Sequence, residues 1–409
     1  MFERFQHYLS YGSTDQQTVR DLSGLYDGLL VPGTIAAFQA EGTKGFVLTL
    51  SASTSAPYVI DSRFPLFQNR LGAPKKSHQM LAAILGAPSL IRSDRDPLPA
   101  DFSDDLVRTI ASSWIDFNLG FEDVKTKTFD KYAARLGEAV LPEDRQKPAY
   151  ILPPYAMVGE MGDGWWDVST RIWNASVEHG ASLEGGGSLR RVIAARDAAI
   201  LGTLLADVSD VEIVLWVSNL DEFRQTSEAS LVQYALALKD SRERGQRPFA
   251  LYGGFFSVLM ARFGLTGSSH GIGFGEHRDW VELPSSGAPP ARYYVSRLHR
   301  YIGVDIAVEL WRQFPELIAC DCEDCGLGSP GNLDYHALMR HSVRARATEI
   351  SEWLDLGTEA VRARLGEDFA SFRAALQILV APERLRRRAE EIHLHLPMWA
   401  RVLKVADVD

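Results

Sequence analysis

Three cysteines occur in the chain, and all fall in one short turn, IACDCEDCG: Cys320, Cys322 and Cys325. An odd, clustered set makes a poor disulfide framework, because any pair leaves the third unmatched. Thiolates are good Zn²⁺ ligands, and a Cys3His tetrahedron is a closed structural site. The CxCxxC spacing lets a tight turn aim three sulfurs at one point. The fourth ligand is expected from the following segment, LDYHALMRHSVRARATEISEWL, which reads as a helix and offers His336 and His341. Five residues on a helix are about 140° of rotation apart, so both rings cannot face one ion. The alternatives are three reduced thiols in an acidic turn, or a redox-sensing cluster. A four-ligand site of this kind fastens a segment in place and leaves no open position for substrate.

A second set of reactive groups stands where apolar runs end. Asp61 ends PYVID and Asp116 ends SSWID. Glu276 ends GIGFGE, with His277, Arg278 and Asp279 directly behind it. Two carboxylates converging on a sugar can act as nucleophile and general acid/base at an anomeric carbon, where one captures a developing oxocarbenium ion and the other moves a proton. Each taken alone also reads as a helix cap. His270 and His299 read as structural, and Trp165, Trp166 and Trp216 as core or rim aromatics. Two basic strips, Arg292 to Arg300 and Arg384 to Arg388, read as solvated faces that could also hold a phosphate backbone.

The elements that must position these groups alternate between strand-like and helical stretches. Strand-like runs are 27–34, 45–51, 57–61, 112–117, 149–155, 212–218, 249–255 and 271–276, with amphipathic helical stretches at 188–208 and 228–245. About eight strands with helices between them predict a (β/α)8 barrel, in which residues just past the C-terminal strand ends converge on one mouth. A doubly wound open sheet is the competitor, but neither GxGxxG after the first strand nor GxxxxGK[ST] occurs. The expected division is a barrel over 1–304 and a zinc-binding helical subdomain with C-terminal helices over 305–409.

The chain has 409 residues, 46% hydrophobic and 23% charged, with a formal net charge of −10, which excludes fibrous and disordered classes. That acidity argues against nucleic-acid binding through bulk charge and leaves room for a local basic groove. No apolar run approaches the roughly 18–20 residues of a membrane span, and the start lacks the pattern of a secretory signal, so a soluble cytoplasmic protein is expected.

The CDCEDC turn before a His-bearing helix, placed after a barrel-like region, resembles the tRNA-guanine transglycosylase superfamily, including its DNA-modifying 7-deazaguanine branch. DSRFPLFQ (Asp61, Ser62, Phe67, Gln68) looks like an interrupted form of that family's Asp-Ser-Gly-Gly-Phe-Gln motif, with Arg63-Phe64-Pro65-Leu66 in place of the glycines. GIGFGE looks like its last barrel strand, and His341 fits its fourth zinc ligand better than His336. The resemblance implies exchange of guanine for a 7-deazaguanine-type base in DNA or tRNA, through a covalent glycosyl-enzyme, beside a structural Zn²⁺. Asp61 would be the general base, Glu276 or Asp279 the nucleophile, and Asp116 the reader of the purine edge. Ser62, Gly253, Gly254 and Arg278 would complete the substrate-binding set. Cys320, Cys322, Cys325 and His341 would hold the metal, and two copies would pair as a homodimer. The competing readings are a catalytically silent zinc-bearing barrel that binds nucleic acid or a protein, and a metal-free hydrolase of small glycosides.

Overall fold

The computed structural model describes residues 4–12, 14–137, 140–183, 187–273, 276–280 and 291–408. Eight parallel strands run β1 (Gln6–Ser10), β2 (Gly28–Pro32), β3 (Tyr58–Asp61), β4 (Met157–Val158), β5 (Arg191–Ala195), β6 (Glu212–Val217), β7 (Arg247–Ala250) and β8 (Gly267–Gly271). Their order across the sheet is β3-β2-β1-β8-β7-β6-β5-β4. That is the cyclic order of a (β/α)8 barrel opened at one place. β8 pairs with β1, Tyr8 opposite Ser269, and the interruption lies between β3 and β4.

The interruption is bridged. Ala149 N donates to Tyr58 O at 2.9 Å. Beyond β3, the Gln68 side chain donates to Met157 O at 2.9 Å and accepts from Met157 N at 2.6 Å, so it takes the place of a missing strand partner. The curled sheet is buried on both faces, which explains near-continuous apolar runs such as EIVLWV. Alternate side chains fill the interior, among them Tyr8, Leu30, Val59, Val192, Val214, Trp216 and Phe249. Their neighbours Leu9, Val31, Ile60, Ile193 and Leu215 face the surrounding helices.

Two expected strands are helical. GFVLTLS lies inside helix Ala40–Thr54, and SSWIDF inside helix Asp104–Leu119. In the second, Ser103 Oγ accepts from Leu106 N, and Val107, Ile110, Ala111, Trp114 and Ile115 make one buried face. A six-residue apolar window does not reveal that 3.6-residue period; its flanks do. Conversely, the stretch 188–208 contains β5 before its helix Leu201–Ala206, and β1 is a strand that no apolar run announced. The last strand is the small-residue run GSSHG, so Glu276 stands five residues past its end; Phe274 and Gly275 of GIGFGE lie outside the described residues.

After the barrel come an antiparallel hairpin, β9 (Arg292–Val295) and β10 (Arg300–Gly303), and a set of helices that includes Tyr335–Trp353, Thr358–Ile378 and His395–Val408. One apolar core runs from Ile193 and Leu231 of the barrel through Phe255 and Phe256 to Trp353 and Trp399. Among the described residues no helix is long and apolar enough to cross a membrane.

Candidate functional site

Because all eight strands are parallel, the loops after them share one rim. Asp61, the last residue of β3, is fully buried there. Its Oδ1 accepts from Tyr155 OH at 2.7 Å and from Arg63 N at 3.0 Å; its Oδ2 accepts from Tyr252 OH at 2.9 Å. The Arg63 guanidinium lies 3.8 Å from Oδ2 and donates to Tyr252 OH at 3.3 Å. Burial, with Asp61 adding to it, pushes the Tyr155 phenol well above its usual range, so it stays a donor. Arg63 takes the left-handed conformation (φ 54°, ψ 27°), costing on the order of 1 kcal/mol outside glycine. It occupies the place after Ser62 where the resembling motif carries glycine. Ser62 is itself buried, and its Oγ accepts from Phe64 N at 3.3 Å.

The loop after β7 joins this network to a second one. Tyr252 serves Asp61, while Gly254, two residues on, backs onto two carboxyls. A Cβ at Gly254 would meet Glu222 Oε2 at 2.7 Å and Glu276 at 3.0 Å from its carboxyl carbon. Gly254 N donates to Glu222 Oε1 at 2.9 Å, and Glu222 Oε2 has no partner. Burial, then Glu276, pushes the Glu222 carboxyl up to about 8. Glu276 accepts from Arg346 Nη2 at 2.6 Å; burial raises it and Arg346 works against that. Arg346, 2% exposed, also donates to Glu349 at 3.0 Å and Tyr294 OH at 2.8 Å. His299 faces Glu349 at 2.7 Å and stacks on Phe255, which fits its structural reading. Gly253 donates its N–H to Ser269 O, and a Cβ there would fall 1.9 Å from Ser257 Oγ.

Residues 276–280 fold back over the ends of β6 and β7. Trp216 Nε1 donates to Arg278 O at 2.9 Å, and the Arg278 guanidinium lies 5.0 Å from the Tyr252 ring centre. Trp280 N donates to Ser218 Oγ at 3.0 Å. Asp279 pairs with His277 at 3.0 Å, both partly exposed. Trp216 is thus a mouth-lining aromatic, T-shaped against Tyr252 at 5.4 Å.

Asp116 is a correction. It lies on a helix of the outer layer, exposed, with its carboxylate 2.9 Å from His179 Nε2 on helix Trp165–Ser182. That helix leads back toward the start of β5, so Asp116 does not reach the mouth. Of the basic strips, Arg297 pairs with Asp368 and Arg300 is stacked 4.5 Å over Phe223, which turns much of the first strip inward. Arg384, Arg386, Arg387 and Arg388 are exposed on the short helix Glu383–Ala389. Sequence reasoning missed Tyr155, Tyr252, Glu222 and Arg346. Tyr252 and Glu222 follow the ends of β7 and β6 and could have been found by that rule; Tyr155, just before β4, and Arg346, on a helix beyond the cysteine turn, gave no such signal.

The metal-ligating set comes together as expected. The ligand atoms of Cys320, Cys322, Cys325 and His341 all lie within 4.8 Å of one another, which suits four ligands each about 2.0–2.3 Å from one zinc ion. The turn is tightened by Cys325 N and Gly326 N donating to Cys322 O, both at 3.0 Å. His341 Nε2 donates to Tyr294 O at 2.7 Å, which leaves Nδ1 facing the sulfurs. His336 instead faces Thr18 Oγ1 at 3.1 Å, apart from the cluster. No protein-family model matches the chain, and comparison with curated proteins finds no relative.

Proposed function

We propose that this chain is a nucleic-acid transglycosylase that exchanges guanine for a 7-deazaguanine-type base by double displacement. The observation that carries the reading is Asp61: a fully buried carboxylate at a barrel rim, held by two phenols and an arginine. Such a cage fixes an acid/base group in one orientation, as base exchange at a sugar carbon requires. Glu276, at the same rim after the last strand, is the carboxylate assigned to attack C1′; Asp279, on the exposed side of the segment, is the other candidate. The attack forms a Glu276–C1′ ester as the C1′–N9 bond breaks with its electron pair on guanine. Asp61 then takes the proton of the incoming base as that base displaces the ester, a retaining sequence. The target nucleotide must leave its helix to enter the mouth.

DNA is favoured over tRNA because Arg63-Phe64-Pro65-Leu66 reshapes the wall where the resembling motif carries two glycines. The Cys3His cluster holds structural zinc in this reading and touches no substrate. The test is incubation of the zinc-loaded protein with labelled guanine or 7-deazaguanine and either DNA or tRNA. Incorporation is expected, with a trapped protein–nucleic acid adduct lost in Glu276→Gln. Absence of incorporation into both nucleic acids defeats the reading. Loss of the adduct in Asp279→Asn but not in Glu276→Gln moves the nucleophile. The buried Arg346–Glu276 pair favours a second reading, a silent zinc-bearing barrel that binds nucleic acid, in which that ion pair is purely structural.

A further inference from the structure

Glu222 has no role in the steps above, yet its position is unusual. It follows β6 by five residues, as Glu276 follows β8, and both reach the same rim from strands that flank β7. Both carboxyls pack against Gly254, where a Cβ would meet Glu222 Oε2 at 2.7 Å and Glu276 Oε2 at 3.1 Å, so the two carboxyls crowd one spot. The two carboxyls differ in partners. Glu276 has a guanidinium at 2.6 Å, which works against the rise that burial gives its carboxyl. Glu222, 3% exposed, has one backbone N–H on Oε1 and nothing on Oε2, with no cation in salt-bridge reach among the described residues. The groups acting on it are Glu276, Asp221 and Arg346, while Tyr234 feels it from the flanking helix and Trp399 Nε1 ties its carbonyl at 2.7 Å. A buried carboxyl so placed, with a second carboxyl beside it, keeps its proton while its neighbour loses one.

Resting on the transglycosylase reading, we propose that Glu222 is the proton donor to the departing guanine, with Glu276 as the attacking carboxylate beside it. As the Glu276–C1′ bond forms and the C1′–N9 bond breaks, the electron pair left on the base takes the Glu222 proton. Glu222 is then a carboxylate. Asp61 receives the proton of the incoming base in the second half, and exchange with solvent returns Glu222 to its acid form. Two neighbouring carboxyls at one rim, one as nucleophile and one as proton donor, are the arrangement that retaining displacement at a sugar uses. Gly254 is the residue that lets the two carboxyls come together.

The experiment compares wild type, Glu222→Gln and Glu222→Asp in guanine exchange on DNA and tRNA, across pH 5–9. Each is then repeated with 8-azaguanine, a more acidic leaving base, at the target position. Glu222→Gln is expected to slow guanine departure by about 10²-fold or more, and to abolish the fall in rate that wild type shows as pH rises through about 8. The deficit should shrink at least tenfold with 8-azaguanine, which needs less help to leave, and Glu222→Asp should recover part of the rate. A purely structural role would slow both leaving bases alike and keep the wild-type pH profile; that result overturns the proposal while leaving the exchange activity standing. Wild type that exchanges neither base on either nucleic acid overturns the transglycosylase reading itself, and this role with it.

Discussion

The Glu222 carboxyl makes a thermodynamic statement that is independent of any reaction. Burial, and then the neighbouring Glu276, push it from its ordinary 4.5 up to about 8, so the folded protein keeps a proton that the unfolded chain gives up. The stability from this group is fully present below pH 4.5 and is lost as pH rises through about 8. Glutamine has the same shape and no proton to lose. Glu222→Gln is therefore expected to match wild type within about 1 kcal/mol near pH 5 and to exceed it by a few kcal/mol near pH 8.5. Urea denaturation at three pH values measures the difference. A gap that stays constant with pH would mean that Glu222 is ionised in the folded protein. Asp61 is held differently, with three donors on its two oxygens and a guanidinium beside it.

At the scale of elements, the interruption between β3 and β4 is the weak place in the barrel, and the Gln68 side chain helps to span it. Gln68 is 4% exposed and satisfies both the N–H and the C=O of Met157, itself 1% exposed. Gln68→Ala leaves those two backbone groups buried without partners, at a cost of about 2–4 kcal/mol. Hydrogen exchange at the Met157 amide should quicken well beyond that of β6. Equal protection in wild type and variant would show that the seam closes by other means. Gln68 was visible in the sequence only as part of a motif, since nothing in FPLFQ says that its amide completes a sheet. The barrel itself was legible because parallel strands buried on both faces are written as apolar runs: β2, β3, β6 and β7 were all read from such runs. The same runs misled at GFVLTLS, which is buried all round within its helix, and at SSWID, where so short a window hides the single buried face of an outer-layer helix, so Asp116 was placed at a strand end that does not exist. β8 and β1 were missed for the opposite reason. GSSHG and QHYLS carry small or polar residues, and their strand character comes from pairing with each other.

For the molecule as a whole, the Cys3His cluster and the barrel rim share helix Tyr335–Trp353. His341 on that helix faces the three sulfurs and ties its other ring nitrogen to Tyr294 O of β9. Arg346, further along the same helix, holds Glu276, and Glu349 beyond it engages Tyr294 OH and His299. A metal bound at the cysteine turn would therefore fix the register of the helix that positions a rim carboxylate, although it contacts no substrate. Structural zinc sites contribute folding free energy directly, and its loss reaches whatever the ligands anchor. Metal analysis of the purified protein is expected to give one zinc per chain, reduced by His341→Ala or by serine at Cys320. Chelation should then raise hydrogen exchange across β9, β10 and Tyr335–Trp353, while β5 to β7, packed on their own helices, keep their protection. It should also diminish any adduct formed through Glu276, because Arg346 would no longer hold that carboxylate in place. Exchange that rises uniformly over all eight strands would show instead that the barrel depends on the clamp for its fold. Exchange that does not change anywhere would show that His341 and the thiols hold the turn without an ion, and that the rim owes nothing to metal.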